Sequence, residues 1–476
     1  MGESRDFKDH PMSSLDQLHH QAQSIFEQAL AACDIDQAFH RLLRLEGKTL
    51  HVAAGGGDEP IHYDLRRYKR LLVLAFGKAA PSMLDALMRK IPDGIDVRGL
   101  CAGAEEPKLR YRHIKTFEGG HPLPNRESLA AGEEALNLLR KTKKDTLVIY
   151  LISGGGSAML EAPLDESISL VDTAAFHETL VESGATITEV NTVRKFYSAI
   201  KAGRLAEAAP HSDQLSLLLA DVPMREIEAV ASSPTLPNRT TFAECEQILT
   251  RYKLMETFPV SVRQFFEKLK NGKLPLPPAA DHPVFARSQF RVLLSNRDFI
   301  EAAAQTAREL GYNVTVDNSC DDWDYQSASQ YLMDRFHQLR GQSSRVCLLS
   351  SGEVTVKLPA EHGCGGRNQQ LALTCAFDLA KYEGKPMVAL SAGSDGIDGS
   401  SHAAGAIVDT TTLERARQQN FDPEAILREF DACPLFTAIG DCIVTGPTGN
   451  NLRDLRVFLS DTEIPQTNHS SEPNAI

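Results

Sequence analysis

Three short apolar runs constrain the fold of this chain more than any other feature. Residues 71–76, 146–152 and 215–220 end in glycine-rich or acidic turns, at Gly77, at Ser153-Gly154-Gly155-Gly156 and at Asp221, and helical patterns follow. Strand, turn and helix in repetition is the pattern of a parallel sheet with helices on both faces. Such sheets bind ligands beyond the carboxyl ends of their strands, so the residues after each run are the first candidates for function.

The remainder of the chain predicts a second unit. At 476 residues it exceeds what one hydrophobic core usually organises. Apolar residues at helical spacing over 15–32 and 35–45 predict helices packed onto the domain that follows them. Proline crowds 274–283, where missing backbone donors disfavour regular structure, and this places the domain boundary near residue 280. Beyond it, strands are expected at 290–295, 345–350, 354–358, 387–392 and 406–409, with helices at 298–310, 325–339, 368–381 and 412–420. The expected division is a domain over 1–280, a second α/β domain over 281–461, and a polar, disordered tail over 462–476.

Charge and composition exclude several classes of function. A net charge of −13 opposes binding to nucleic acid or an anionic membrane, which rely on clustered Lys and Arg. No stretch approaches the roughly 18 apolar residues of a membrane span, and the first residues lack the apolar segment of a signal peptide, so the expected location is cytoplasmic. Nine scattered cysteines without a Cys-x-x-Cys pair argue against a disulfide framework and a structural zinc site. Homo-oligomerisation is compatible with the sequence.

Several loops carry residues suited to anionic chemistry. In Ser153-Gly154-Gly155-Gly156-Ser157 successive backbone N–H groups can face a phosphate or carboxylate without side-chain obstruction. The loop is neither a Walker A motif nor the Gly-x-Gly-x-x-Gly dinucleotide fingerprint, and Ser157 lacks the Gly-x-Ser-x-Gly context of a hydrolase nucleophile. Lys78 follows the first buried run, where its ammonium can reach a phosphate. Gly365-Gly366-Arg367-Asn368 sets a guanidinium fork after a glycine run. Asp395 and Asp398 form a carboxylate pair suited to Mg²⁺ or to orienting a hydroxyl. Asn191 and Arg194 lie in a donor-rich segment read as a loop. Each signal also has a bland reading as a turn or a solvated surface side chain.

Taken in order, these segments resemble the type II glycerate kinase family over about 26–459. The likeness rests on Gly77-Lys78-Ala79-Ala80, Gly120-His121-Pro122-Leu123-Pro124, Ser153-Gly154-Gly155-Gly156-Ser157, Asn191-Thr192-Val193-Arg194-Lys195, Gly365-Gly366-Arg367-Asn368-Gln369, Asp395-Gly396-Ile397-Asp398-Gly399 and Thr445-Gly446-Pro447-Thr448-Gly449. The resemblance implies a Rossmann-like N-terminal domain, a smaller MOFRL-type domain and an active site in the interdomain cleft. It also implies ATP-dependent, Mg²⁺-assisted phosphorylation of D-glycerate to 2-phosphoglycerate. Lys78 and Arg367 would then stabilise phosphoryl charge, the 153–157 loop would cradle an anion, and Asp221 would serve Mg²⁺ or the 2-hydroxyl. Two departures stand out. Met224-Arg225 replaces the family's Gly-Asp, and Ser233 stands for the glycine of Ser-Gly-Pro-Thr. Phe196 also occupies a frequent histidine position. Hydroxypyruvate reduction and a catalytically weakened binding protein are the alternatives.

Overall fold

The computed structural model describes residues 13–54, 59–220, 222, 224–382 and 384–461. The chain divides into two compact units, one of Cys33–Arg297 with Gly449–Leu452, the other of Met1–Ala32, Asp298–Thr448 and Arg453–Ile476.

The first unit opens with an antiparallel sheet of β1 (Leu43–Glu46), β2 (Thr49–Val52) and β3 (Ile61–Asp64). The sequence predicts helix through residue 45, but the helix stops at Leu42. There the chain enters β1 and reverses at Gly47, whose φ of 59° suits glycine. The expected parallel sheet follows: β4 (Arg70–Phe76), β5 (Val97–Gly103), β6 (Ile114–Glu118), β7 (Thr146–Ile152), β8 (Asp213–Ala220) and β9 (Ser288–Ser295). Their spatial order is β6-β5-β4-β7-β8-β9, every neighbouring pair parallel. All of β7 is buried, which explains its unbroken apolar run.

The order matters for function. From β4 the chain winds outward through β5 and β6, then returns to β7 on the opposite side. The β4–β7 pair is therefore the topological switch point, where connections diverge and leave a crevice at the strand ends. Gly77-Lys78 and the 153–157 loop emerge there.

A helical layer forms a further core in this unit. Phe176 stacks on Tyr197 with ring centroids 4.0 Å apart, and Phe196 meets Phe242 edge-on at 5.5 Å. Phe196 is 1% exposed, so this side chain belongs to packing.

The second unit holds a mixed sheet: β10 (Asn313–Val316), β11 (Arg345–Gly352), β12 (Met387–Gly393), β13 (Gly405–Asp409), β14 (Cys442–Ile443) and β15 (Asp454–Asp461), ordered β10-β11-β15-β12-β13-β14. Only β10 and β11 pair in parallel; β15 runs antiparallel between β11 and β12. The helix Ser14–Ala32 packs on β15 and β12 and sets Phe26 edge-on to Phe299, 6.0 Å between centroids.

Several expectations need correction. The strand at 290–295 is β9 of the first sheet, pairing Gln214 with Ser288, so the division falls after Arg297 instead of near 280. The proline-rich stretch is the loop feeding an edge strand, which tolerates lost donors as well as a linker does. Helix Ser14–Ala32 groups with the second unit, not with the domain that follows it. At 354–358 there is one bridge, Thr355 to Asp324, instead of a strand. The 462–476 tail lies outside the described residues. All nine cysteines are free, seven of them buried. Among the described residues no helix is long and apolar enough to cross a membrane.

Candidate active site

At the switch point two loops pass at a distance only glycine permits. A Cβ on Gly77, whose φ is 116°, would stand 2.4 Å from the Ser153 Oγ. That hydroxyl accepts the Ala79 N–H at 3.0 Å, and the Lys78 N–H donates to the Gly154 carbonyl at 2.8 Å. Ser153 is 1% exposed and works as a stitch between the loops. Gly156 donates back to the Ser153 carbonyl at 3.3 Å, whereas the N–H groups of Gly154, Gly155 and Ser157 have no acceptor among the described residues. A Cβ on Gly155 would lie 3.1 Å from the His121 ring and 3.2 Å from Lys78 Cγ, so both side chains crowd the loop.

His121, Gly154, Gly155 and Ser157 line a cavity of about 450 Å³ with Asn191, Arg194 and Ser232. Asn191 and Arg194 stand on one face of the helix Ile187–Tyr197, three residues apart. The expected loop is thus a helix. It is started by a capping box between Thr186 and Glu189, a local signal visible in the sequence. The Nε of Arg194 is buried without a partner. Burial pushes the guanidinium pKa down, with Glu161 pulling the other way. Such a desolvated cation is prepared for an anion. A hydroxyl chain runs from Ser157 to Ser232, 3.0 Å, and from Ser232 to the Asn191 Oδ1, 3.3 Å. Ser232 and Ser233 hold φ of 61° and 57°, so the backbone is left-handed where Ser233 stands for the family's glycine. Their carbonyls accept from Ala202 and Gly203, which holds the turn.

Behind Arg194 lies a buried cluster that carries no role in the sequence reading. Glu161 Oε2 meets Lys201 Nζ at 2.5 Å and His177 Nε2 at 3.2 Å, all within 1% exposure. Burial alone would raise the Glu161 pKa, but the Lys201 charge and the hydrogen bonds from His177 and Lys201 hold it at about 2.

In the second unit a cavity of about 790 Å³ is lined by Glu353, Gly366, Arg367, Asp395 and Asp398 among others. Asp398 caps the helix Arg367–Leu379, its Oδ1 accepting from Asn368 N–H at 2.9 Å and its Oδ2 from Gln369 N–H at 2.8 Å. A Cβ on Gly366 would fall 2.3 Å from that carboxylate, which explains the glycine run. Burial drives the Asp398 pKa up to about 7 against those N–H groups, helped by Asp454. Arg367 Nε and Nη2 hold Asp454 bidentately at 2.7 and 3.0 Å, and Nη2 reaches Glu353 at 2.9 Å. Its fork is thus braced by protein carboxylates. Asn368 is 1% exposed and accepts from Ser391 Oγ at 2.6 Å, inside the wall. Asp395 accepts the Ile397 N–H at 3.1 Å in its own turn.

Of the carboxylate pair read for Mg²⁺ or for orienting a hydroxyl, Asp398 therefore accepts one backbone N–H at each oxygen as a helix cap, and both members of the pair line this cavity. Asp221 lies outside the described residues, as do the side chains of Met224 and Arg225, whose backbone opens the 3₁₀ helix Met224–Ser232.

Against this geometry stand the known relatives. A family model described as a domain of unknown function (DUF4147) matches residues 21–267, and the MOFRL family model matches residues 346–454. A glycerate 2-kinase of Pyrococcus horikoshii is 33% identical over 396 residues, covering 82% of this chain and 87% of that protein. A protein of Agrobacterium vitis provisionally named a hydroxypyruvate reductase is 34% identical over 397 residues, covering 82% of this chain and 87% of the relative. The crystal structure of a glycerate kinase from Thermotoga maritima matches with a TM-score of 0.78 at 26% identity, covering 94% of this chain and 100% of that one. The first match takes in Lys78, the 153–157 loop and Arg194, and the second takes in Arg367, Asp395 and Asp398. The chain belongs to the glycerate kinase family in which a DUF4147 domain precedes a MOFRL domain.

Proposed function

We propose that this chain transfers the γ-phosphoryl group of ATP to D-glycerate, giving 2-phosphoglycerate and ADP. The observation that carries the reading is the cavity at the β4–β7 switch point. It combines a guanidinium whose Nε is buried without a partner and three backbone N–H groups without acceptors among the described residues, and the exposed Lys78 stands beside Gly155 in its wall. A small hydroxy acid brings a carboxylate and an acceptor hydroxyl, which matches that donor set.

Arg194 and Asn191 receive the carboxylate; Lys78 and the N–H groups of Gly154, Gly155 and Ser157 neutralise phosphoryl charge. Such transfer needs alignment and charge stabilisation more than covalent chemistry. Arg367, braced by Asp454 and Glu353 in its own cavity, is a second cationic contributor to turnover. Asp221 remains a candidate for orienting the acceptor hydroxyl. ATP enters as its Mg²⁺ complex.

Hydroxypyruvate reduction is the second reading, motivated by the name of the Agrobacterium relative. The dinucleotide fingerprint is missing from the sequence, which weighs against it. ADP release measured across small hydroxy acids, with the product identified by NMR, tests both. ADP and 2-phosphoglycerate are the expected products; NADH oxidation with hydroxypyruvate and no ADP would overturn the kinase reading.

A further inference from the structure

The Gly120-His121-Pro122 motif has no role in the scheme above, yet its imidazole stands in the same cavity. His121 packs against Gly155 beside Lys78, and neither ring nitrogen has a hydrogen-bond partner among the described residues. A histidine exposed within an anion-binding cavity, free to accept, is placed for proton transfer.

We infer that His121 is the general base that takes the proton of the acceptor hydroxyl, an assignment that rests on the kinase reading. As the hydroxyl O–H bond breaks, its proton passes to the unprotonated ring nitrogen of His121. The hydroxyl oxygen forms its bond to the γ-phosphorus. The bond from that phosphorus to the β–γ bridging oxygen breaks, and ADP leaves with the electron pair. The imidazolium then returns its proton to water.

The charged groups facing the ring are Lys78, from the loop after β4, and Arg194, from the helix Ile187–Tyr197. Burial first, then these two cations, lower the pKa of His121. The ring is therefore unprotonated at neutral pH, as a base must be. The same two cations bind the anions whose reaction the base assists.

The test compares wild type, His121→Gln and His121→Ala for kcat, KM and the pH profile of kcat/KM, with circular dichroism confirming the fold. Both variants are expected to lose roughly 10²- to 10⁴-fold in kcat, with KM for glycerate changed far less. The acid limb of the wild-type profile disappears in His121→Gln, and added imidazole restores part of the His121→Ala rate. An unchanged acid limb, or a loss confined to KM, overturns the assignment and leaves the kinase reading standing. Wild-type protein that releases no ADP with any hydroxy acid overturns both.

Discussion

Replacing Arg194 by methionine separates a functional cation from a structural one. Most buried arginines are fixed by carboxylates, and their removal costs about 3–5 kcal/mol because a charge is left unpaired. Arg194 differs, since its Nε is buried without a partner and Glu161, the carboxylate nearest in charge, is already held by Lys201. Arg194→Met keeps the stem's packing and removes a desolvated charge, so stability at pH 7 is expected to change by less than about 1 kcal/mol. Catalysis should suffer instead. Losing a charge-assisted hydrogen bond to a substrate carboxylate costs about 2–3 kcal/mol, roughly 30- to 160-fold in kcat/KM. KM carries most of that loss if the contact is made equally in ground and transition states. Urea unfolding followed by tryptophan fluorescence and circular dichroism reads the first number, and coupled ADP release with varied glycerate reads the second. A variant destabilised by more than 2 kcal/mol with kcat/KM within threefold of wild type would refute the reasoning.

Lys78→Ala should lower kcat by about 10²- to 10³-fold at unchanged melting temperature, because the side chain is exposed at the loop; turnover close to wild type would remove it from the mechanism. Arg367→Ala strands the Asp454 carboxylate, 1% exposed, so a loss of about 3–5 kcal/mol in stability is expected along with activity, and Arg367→Lys should recover only part of each. Unchanged stability in the alanine variant would show that Asp454 finds another partner. His177, held by burial at about 4 despite Glu161, binds protons more readily unfolded than folded. Stability is therefore lost as pH falls from 6.5 toward 4, by roughly 3 kcal/mol, and His177→Gln should flatten that stretch in urea titrations. The loss below 4.5 set by Glu161 should persist in the variant, and identical pH profiles for the two proteins would contradict the assignment.

What the sequence determined by itself was whatever local patterning can specify. Strands buried on both faces need unbroken apolar runs, so β4, β7 and β8 stand close to where those runs lie, and the loops at their ends hold the residues singled out. The capping box before Ile187 was equally local and could have shown that Asn191 and Arg194 share a helix face. Tertiary structure decided the rest, because partners distant in sequence leave no local trace. Pairing of β15 with β11 joins residues more than a hundred apart, and helix Ser14–Ala32 finds that same sheet across nearly the whole chain. That Asp398 caps the helix Arg367–Leu379, each oxygen taking a backbone N–H from a segment thirty residues away, leaves no local trace either. Arg367 reads as a free fork until Asp454 is found beneath it. A side chain's chemistry follows from its residue type; whether its valences remain open for a ligand is settled only by what the fold packs against it.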